Sequence, residues 1–239
     1  MRALGYSIWL QWKLDVRNKN MLSAYYILPI AFYLIVGAIY KEVTPLAEDS
    51  MIQAMSVLAI SIAAFLGTPA PLVDFFTSDT KKTYIVGNIN LGVILLTTFV
   101  SAMVHMIIVS TLIYFTAPLI FAANKPEALL AYIGWLIITM IISAVIGMVI
   151  GIASKNTSAM TMVSQLVFLP TMLLGGIMLP VYILPKVLQD AGKIFPATYS
   201  IKILNSLGSV TAEMIYPLFI IGFLGIIALG FVYKRALIK

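Results

Sequence analysis

The chain has 239 residues, of which 62% are hydrophobic and only 10% charged, with one histidine and no cysteine. Soluble domains carry roughly 25% charged residues, so the composition predicts an integral membrane protein whose spans use nearly the whole length. We therefore expect no soluble catalytic domain, no disulfides and no thiolate chemistry, and the net charge of +6 fits membrane topology rather than nucleic-acid binding.

The first 20 residues are predicted to form a helix that lies at the cytoplasmic membrane interface. Trp9 and Trp12 stand among basic residues, and both residue types favour the headgroup region. The apolar positions form two stripes, of which one is expected to face lipid and the other protein. The charges and the lack of an early apolar run argue against a cleaved signal peptide.

Six apolar stretches follow, each long enough for a membrane helix of about 20 residues. The predicted spans lie near Met21–Tyr40, Met51–Val73, Asn90–Thr116, Ala128–Ile152, a fifth stretch from Ala159, and Ala212–Tyr233. Pro69 and Pro71 are expected to mark the end of the second span, and Pro118 to close the third. In the fourth span, Gly147 and Gly151 share a face that permits close helix packing.

Basic residues in the connections favour an even number of spans with both termini cytoplasmic. In that orientation the inner segments hold ten basic residues, namely Arg2, Lys13, Arg17, Lys19, Lys81, Lys82, Lys155, Lys234, Arg235 and Lys239. The outer segments hold five, namely Lys41, Lys125, Lys186, Lys193 and Lys202. The segment 74–88 is then cytoplasmic, and the segment 180–210 is external.

The fifth stretch is interrupted near its outer end. Pro170 removes a backbone donor, Gly175 and Gly176 weaken a helix, and Pro180 and Pro185 stop regular structure. The half-polar chain from residue 180 to 210 predicts short helices that dip into the outer leaflet. Backbone of that kind is tolerated only where protein encloses it or where it lines a cavity.

This region forms a spaced pattern made of Gln165, Pro170, Leu174-Gly175-Gly176, Leu179-Pro180, Leu184-Pro185, Phe195-Pro196 and Tyr199. The pattern resembles the C-terminal part of type-2 ABC exporter permeases of the drug- and antimicrobial-export kind. The resemblance implies an all-α membrane protein with one transmembrane permease domain over residues 1–239. That fold has six transmembrane helices, an N-terminal interfacial helix and re-entrant outer-face helices between the fifth and sixth spans. The gate would comprise Gly175, Gly176, Pro180, Pro185, Pro196 and Tyr199.

The loop after the second span is the most polar internal connection. In the permeases that the chain resembles, this loop forms a helix that docks on a separate ATPase subunit. The residues predicted to couple to it are Asp74, Phe75, Phe76, Asp79, Lys81 and Lys82. The two phenylalanines suit an apolar slot on the partner, and the charges suit rim ion pairs that fix orientation. Gly87-Asn88-Ile89-Asn90 departs from the family's Pro-containing end, and an ordinary solvated loop is the alternative.

The resemblance further implies that the second and fifth spans face each other across the axis of a dimer of permease copies. The residues predicted to line the substrate path are Gln53, Ser56, Phe65, Gln165, Phe168 and Met172. Such an uncharged lining suits an amphipathic or apolar cargo through adaptable contacts. Core packing or lipid contact is an equal alternative for each residue.

The sequence offers no set of residues for catalysis. It contains no G-x-x-x-x-G-K-[ST] loop, so we expect no cofactor in this chain and place ATP and Mg²⁺ on the partner ATPase. One histidine without cysteines does not build a zinc site. His105, midway along the third span, is either a substrate- or proton-sensitive group or a neutral imidazole bonded within the bundle. In the second case Ser101 and the turn at Val109 are its expected neighbours.

These features predict the membrane-spanning subunit of an ATP-driven exporter, located in the cytoplasmic membrane and working with a second permease copy or homologue. The expected cargo is a drug, an antimicrobial peptide or a lipid-like molecule. Two alternatives stay open. One is an immunity or assembly factor that sequesters a peptide without transport, and the other is a proton-coupled carrier that uses His105.

Overall fold

In a computed structural model, described for residues 2–44, 47–178 and 180–238, an N-terminal helix (Arg2–Arg17) precedes a bundle of long helices. Among the described residues, six helices are long and apolar enough to cross a membrane, namely Lys19–Val43, Ala47–Thr77, Gly92–Phe121, Leu129–Ala153, Thr157–Leu174 and Ala212–Leu237. They are called the first to sixth spans below. The predicted all-α class with six spans is confirmed. Leu179 of the proline-glycine pattern and Lys239 of the inner basic set lie outside the described residues.

Pro69 and Pro71 do not end the second span, so that prediction is wrong: the helix continues to Thr77. A π-helical turn, Ala63–Gly67, comes directly before these prolines. Because a proline ring crowds the preceding turn, the wider π-turn gives the ring space. The first span repeats this arrangement, with the π-turn Ser23–Ile27 ahead of Pro29.

The third span also continues through its proline. The prediction that Pro118 closes this span is wrong, since the helix reaches Phe121 and ends at Ala122, which adopts a left-handed conformation with φ of 58°. A proline close to the end of a helix removes only one internal hydrogen bond. A long apolar helix with packed neighbours tolerates that loss.

The second span is the centre of the bundle, because 94% of its apolar window is buried. It packs against the first, third, fourth and fifth spans. The fourth span approaches it closely: a Cβ atom on Gly147 would lie 2.0 Å from the carbonyl oxygen of Ala64, and one on Gly151 would lie 2.6 Å from that of Pro69. The two glycines therefore form the packing seam that their spacing predicts.

Short elements connect the fifth and sixth spans. They are a 3₁₀ turn (Val181–Ile183) and the helices Lys186–Gly192 and Pro196–Asn205. The helix Pro196–Asn205 packs against the second, fourth and sixth spans, and the Thr139 hydroxyl donates to Ser200 Oγ at 2.9 Å. The chain thus has short helices where the sequence predicts them, and their entry into the outer leaflet stays a prediction.

The N-terminal helix packs along the third span. Tyr6, Leu10 and Leu14, which form one predicted stripe, are exposed. On the opposite side Trp12 is half-buried and Asp15 is only 4% exposed. This two-sided character agrees with one face on protein and one on lipid, and the location at a membrane interface stays a prediction.

Candidate coupling surface and transport path

The segment 74–88, called the coupling segment below, consists of the end of the second span, a break at Ser78 and a short helix, Thr80–Val86. Lys82 Nζ donates to Asp79 Oδ1 at 2.8 Å, and both side chains are largely exposed. The hydrogen bond and charge of Lys82 lower the pKa of Asp79, and Asp79 in turn raises the pKa of Lys82. An exposed pair of this kind fixes the orientation of the helix start but contributes little stability.

Phe75 is buried within the protein and does not stand ready to enter a partner. It is 6% exposed and belongs to a core cluster with Leu72, Leu91 and Met148. Its ring contacts those of Phe76 and Tyr84 at centroid distances of 5.3 Å and 5.0 Å. The prediction that Phe75 fills an apolar slot on the ATPase therefore needs correction: its side chain holds the short helix against the bundle.

The exposed apolar surface of the coupling segment lies further along the chain. Ile85 is 55% exposed and Val86 87%, and Ile89, one residue beyond the segment, is 47% exposed. Asn88, with φ of 51°, makes the turn that follows the helix. From the sequence these side chains are recognisable only as apolar residues that follow the polar stretch ending at Thr83. Their spacing does not show which of them face outward.

The two other charged residues predicted to couple to the ATPase, Lys81 and Asp74, contact different parts of the protein. Lys81 Nζ donates to the carbonyl oxygen of Ala236, near the end of the sixth span, at 2.7 Å. Asp74 is exposed and lines a cleft of about 370 Å³ together with Asp15 and Tyr84. Lys81 thus ties the coupling segment to the sixth span, and Asp74 faces the N-terminal helix side of the bundle.

The predicted path residues of the second span lie inside the bundle. Gln53 is 5% exposed, Phe65 1% and Ser56 0%. Ser56 Oγ lies 2.9 Å from the hydroxyl of Tyr132 in the fourth span. In this conformation they form part of the protein core, so a role in transport would require the second span to separate from its neighbours.

The fifth span divides its predicted path residues between two faces. Phe168 and Met172 are buried, and the Phe168 ring meets Phe32 of the first span at a centroid distance of 6.0 Å. Gln165 is exposed, between Met162 at 60% and Leu166 at 65%. The Gln165 side chain makes no hydrogen bond to the described residues. A bare amide at mid-span is costly in lipid and indicates contact with protein or water.

The predicted gate residues only partly come together. Gly175, Gly176 and Pro180 line a cleft of about 200 Å³ with Tyr40 and Thr44 at the end of the first span. Gly176 has φ of +79°, a conformation that other residues seldom adopt. Elsewhere, Pro185 is exposed, Pro196 is buried at the start of its helix, and Tyr199 packs on the apolar cluster of Ile142, Ile203 and Leu218.

A buried polar cluster, which we call the Asp15–His105 cluster, joins the N-terminal helix to the first and third spans. Its members are Asp15, Tyr26, Ser101 and His105. Ser101 Oγ donates to Asp15 Oδ2 at 2.6 Å, and the Tyr26 hydroxyl lies 2.6 Å from His105 Nδ1. His105 Nε2 lies 3.8 Å from Asp15 Oδ2.

The rings of His105 and Tyr25 stack at a centroid distance of 4.3 Å. The direct partner of His105 is therefore Tyr26 rather than the expected Ser101. The sequence does not reveal the burial of Asp15, because Asp15 lies in a charged terminal stretch and Ser101, which donates to it, is 86 residues away.

A family model described as ABC-2 type transporter matches residues 2–208. The matched region includes the N-terminal helix, the coupling segment and the helix Pro196–Asn205. A comparison with curated proteins finds no match. Within the described part of the chain, no group of three or more His, Asp or Glu residues could hold a metal ion.

Proposed function

The chain belongs to the ABC-2 type transporter family and is the membrane subunit of an ABC transporter; we propose that it exports an amphipathic or apolar cargo, driven by a separate ATPase. The ATPase binds ATP and Mg²⁺ and docks on the coupling segment from the cytoplasm. ATP binding shifts the bundle toward an outward-releasing packing by stabilising that packing more than the alternative. The protein lies in the cell membrane, with both termini on the cytoplasmic side.

The observation that carries this proposal is the apolar tip formed by Ile85, Val86 and Ile89. Large apolar side chains at an exposed helix end are typical anchors for a partner protein. Phe75 of the second span is packed in the core against Tyr84, the residue before Ile85, so movement of the tip reaches the second span. The Asp79–Lys82 pair stands beside the tip, where charged groups set orientation rather than affinity.

The fifth span supplies a second element of the proposal. Its outward face carries Gln165 between apolar side chains, whereas the outward face of the sixth span carries Phe219, Phe223 and Leu224. We assign the fifth-span face to the contact with a second permease copy and to the cargo path, and the sixth-span face to lipid. The uncharged character of the fifth-span face supports an amphipathic or apolar cargo.

The two alternatives receive less support. A proton-coupled carrier would use His105, but His105 is enclosed by Tyr25, Tyr26 and Asp15, an arrangement that suits the attachment of the N-terminal helix. A peptide-sequestering factor would need no ATPase, whereas members of this family typically work with one.

The test uses the permease co-expressed with its ATPase and reconstituted in vesicles. Val86→Asp places a charge on the apolar tip, so we expect at least about a tenfold loss of ATPase binding and loss of vanadate-sensitive, cargo-stimulated ATP hydrolysis. The matched control is Val187→Asp, since Val187 is 78% exposed in the external segment. Normal coupling in Val86→Asp, with insertion of the variant verified, would contradict the proposed docking surface.

A further inference from the structure

A basic cleft of about 390 Å³ lies where three elements meet at one end of the bundle. These elements are the coupling segment, the turn between the fourth and fifth spans, and the last turns of the sixth span. The cleft is lined by Lys81, Lys155 and Arg235 together with the rings of Phe76 and Phe231. No carboxylate is among the described residues that line it.

The charges of this cleft are not neutralised within the described chain. The three described ion pairs involve Lys82, His105 and Lys193, and none involves a cation of the cleft. Lys81 is held in place by its bond to the Ala236 carbonyl at 2.7 Å, which leaves two of its N–H groups for a ligand. Three cations around one space repel each other unless an anion joins them.

The position of the cleft indicates where the anion comes from. Lys155 lies in the turn between two spans, Lys81 just after the second span and Arg235 in the last turns of the sixth, so a bilayer crossed by these helices would place all three near its headgroups. Phe231 is 68% exposed and continues the outward apolar face of the sixth span. A ligand with a phosphate and an adjoining apolar chain matches both parts of the surface.

We propose that this cleft binds the phosphate of an anionic phospholipid headgroup, with the acyl chains along the sixth span beside Phe231. The Arg235 guanidinium and the two ammonium groups donate hydrogen bonds to the phosphate oxygens. Because Lys81 belongs to the coupling segment, the bound lipid would also hold that segment against the sixth span.

The test measures binding of dioleoylphosphatidylglycerol to the purified permease by native mass spectrometry and by thermal unfolding, with dioleoylphosphatidylcholine as the reference lipid. In Lys155→Ala/Arg235→Ala we expect binding of dioleoylphosphatidylglycerol to weaken about thirtyfold, since each cation near an anionic lipid contributes roughly fivefold. The matched control, Lys41→Ala/Lys186→Ala, removes the same charge from exposed residues elsewhere and should bind as the wild type does.

Further arms separate the sources of the anion. If inorganic phosphate in phosphatidylcholine stabilises the wild type as well as the anionic lipid does, and the double variant loses both effects, the cleft is a phosphate site filled from solution. Equal lipid binding by the double variant and the wild type would overturn the proposal. If the double variant no longer bound the ATPase but bound lipid as the wild type does, the proposal would be overturned too, and the cleft would be assigned to the protein partner.

Discussion

The second and fifth spans each carry a glutamine, and the two amides meet opposite surroundings. Gln53 is 5% exposed in the core, whereas Gln165 lies on the outward face of its helix. The same contrast holds for the whole helices, because 94% of the second span's apolar window is buried and only 22% of the fifth span's. The prediction that both spans line one substrate path therefore combines a buried helix with a largely exposed one.

The difference indicates which span is the scaffold and which one depends on something outside the chain. The second span is surrounded by the first, third, fourth and fifth spans, and Ser56 on it bonds inside the protein to Tyr132. The fifth span leaves polar and apolar side chains without neighbours in the protomer. Changes near the second span should therefore act on folding, and changes on the outer fifth-span face should act on assembly and transport.

The largest effect is expected at the seam between the second and fourth spans. Gly147→Ala would place a methyl group 2.0 Å from the Ala64 carbonyl oxygen, so the two helices must separate or distort. We expect a loss of about 3 kcal/mol or more in stability, measured by thermal unfolding and by the yield of monodisperse protein.

Gly134→Ala is the matched control for this change. Gly134 lies in the same span, and a Cβ atom there would meet nothing within 4 Å. We expect this variant to keep wild-type stability or to gain a little from the better helix propensity of alanine. If both variants unfolded alike, the close approach of the two spans would not be the cause.

A smaller loss of stability is expected from changes in the Asp15–His105 cluster. This cluster packs beside the second span through Tyr25. A Cβ atom on Gly67 would lie 2.7 Å from the Tyr25 ring, so the cluster rests on the second span's π-turn. Asp15→Ala removes the acceptor of Ser101 Oγ and of Gln11 Nε2, at 2.6 Å and 2.9 Å. We expect a cost of about 2 kcal/mol and faster trypsin cleavage at Arg17.

Asp74→Ala serves as its control, because Asp74 is an exposed carboxylate near the same end of the bundle. It should leave both the unfolding temperature and the cleavage rate unchanged. An Asp15→Ala variant with wild-type cleavage kinetics would show that the N-terminal helix is held by its apolar contacts alone.

The helical architecture was accessible from the sequence because apolar stretches of membrane length leave few alternatives. The effect of the prolines was not accessible, since nothing in the composition marks the π-turn ahead of Pro69, and Pro118 stands close enough to the end of its helix to remain inside it. The six spans were therefore predicted correctly, and their ends near Pro69 and Pro118 were not.

The position of the coupling segment in the chain could be predicted, but not which of its side chains are exposed. The polarity of residues 74–84 marks a connection, and the family pattern gives it a role. Whether Phe75 or Val86 faces outward depends on packing against residues outside the segment, among them Met148 of the fourth span, which is distant in sequence. Asp15 was missed for the same reason, because its burial is set by Ser101 and His105 in the third span.

The smallest effect on stability, and the most direct test of the contrast, is expected at Gln165. The chain has no cysteine, so Gln165→Cys and Gln53→Cys each introduce a single thiol into an otherwise unreactive background. We expect a short bifunctional thiol reagent to link two copies through Cys at position 165 in native membranes if, as proposed, the outward face of the fifth span meets the second copy. The Gln165→Cys variant should stay folded, with a change in stability within about 1 kcal/mol, whereas the buried Gln53→Cys variant should lose more.

The same reagent should leave the Gln53→Cys variant monomeric, since that position is enclosed by the protomer. Phe223→Cys is the control for surface exposure alone: Phe223 is 64% exposed on the sixth span, but its thiol would face lipid. Cross-linking at 223 instead of 165 would reverse the assignment of the two faces and place the sixth span at the dimer axis. Cross-linking at 53 would mean that the second span leaves the core in the membrane. The prediction that this span lines the substrate path would then be supported.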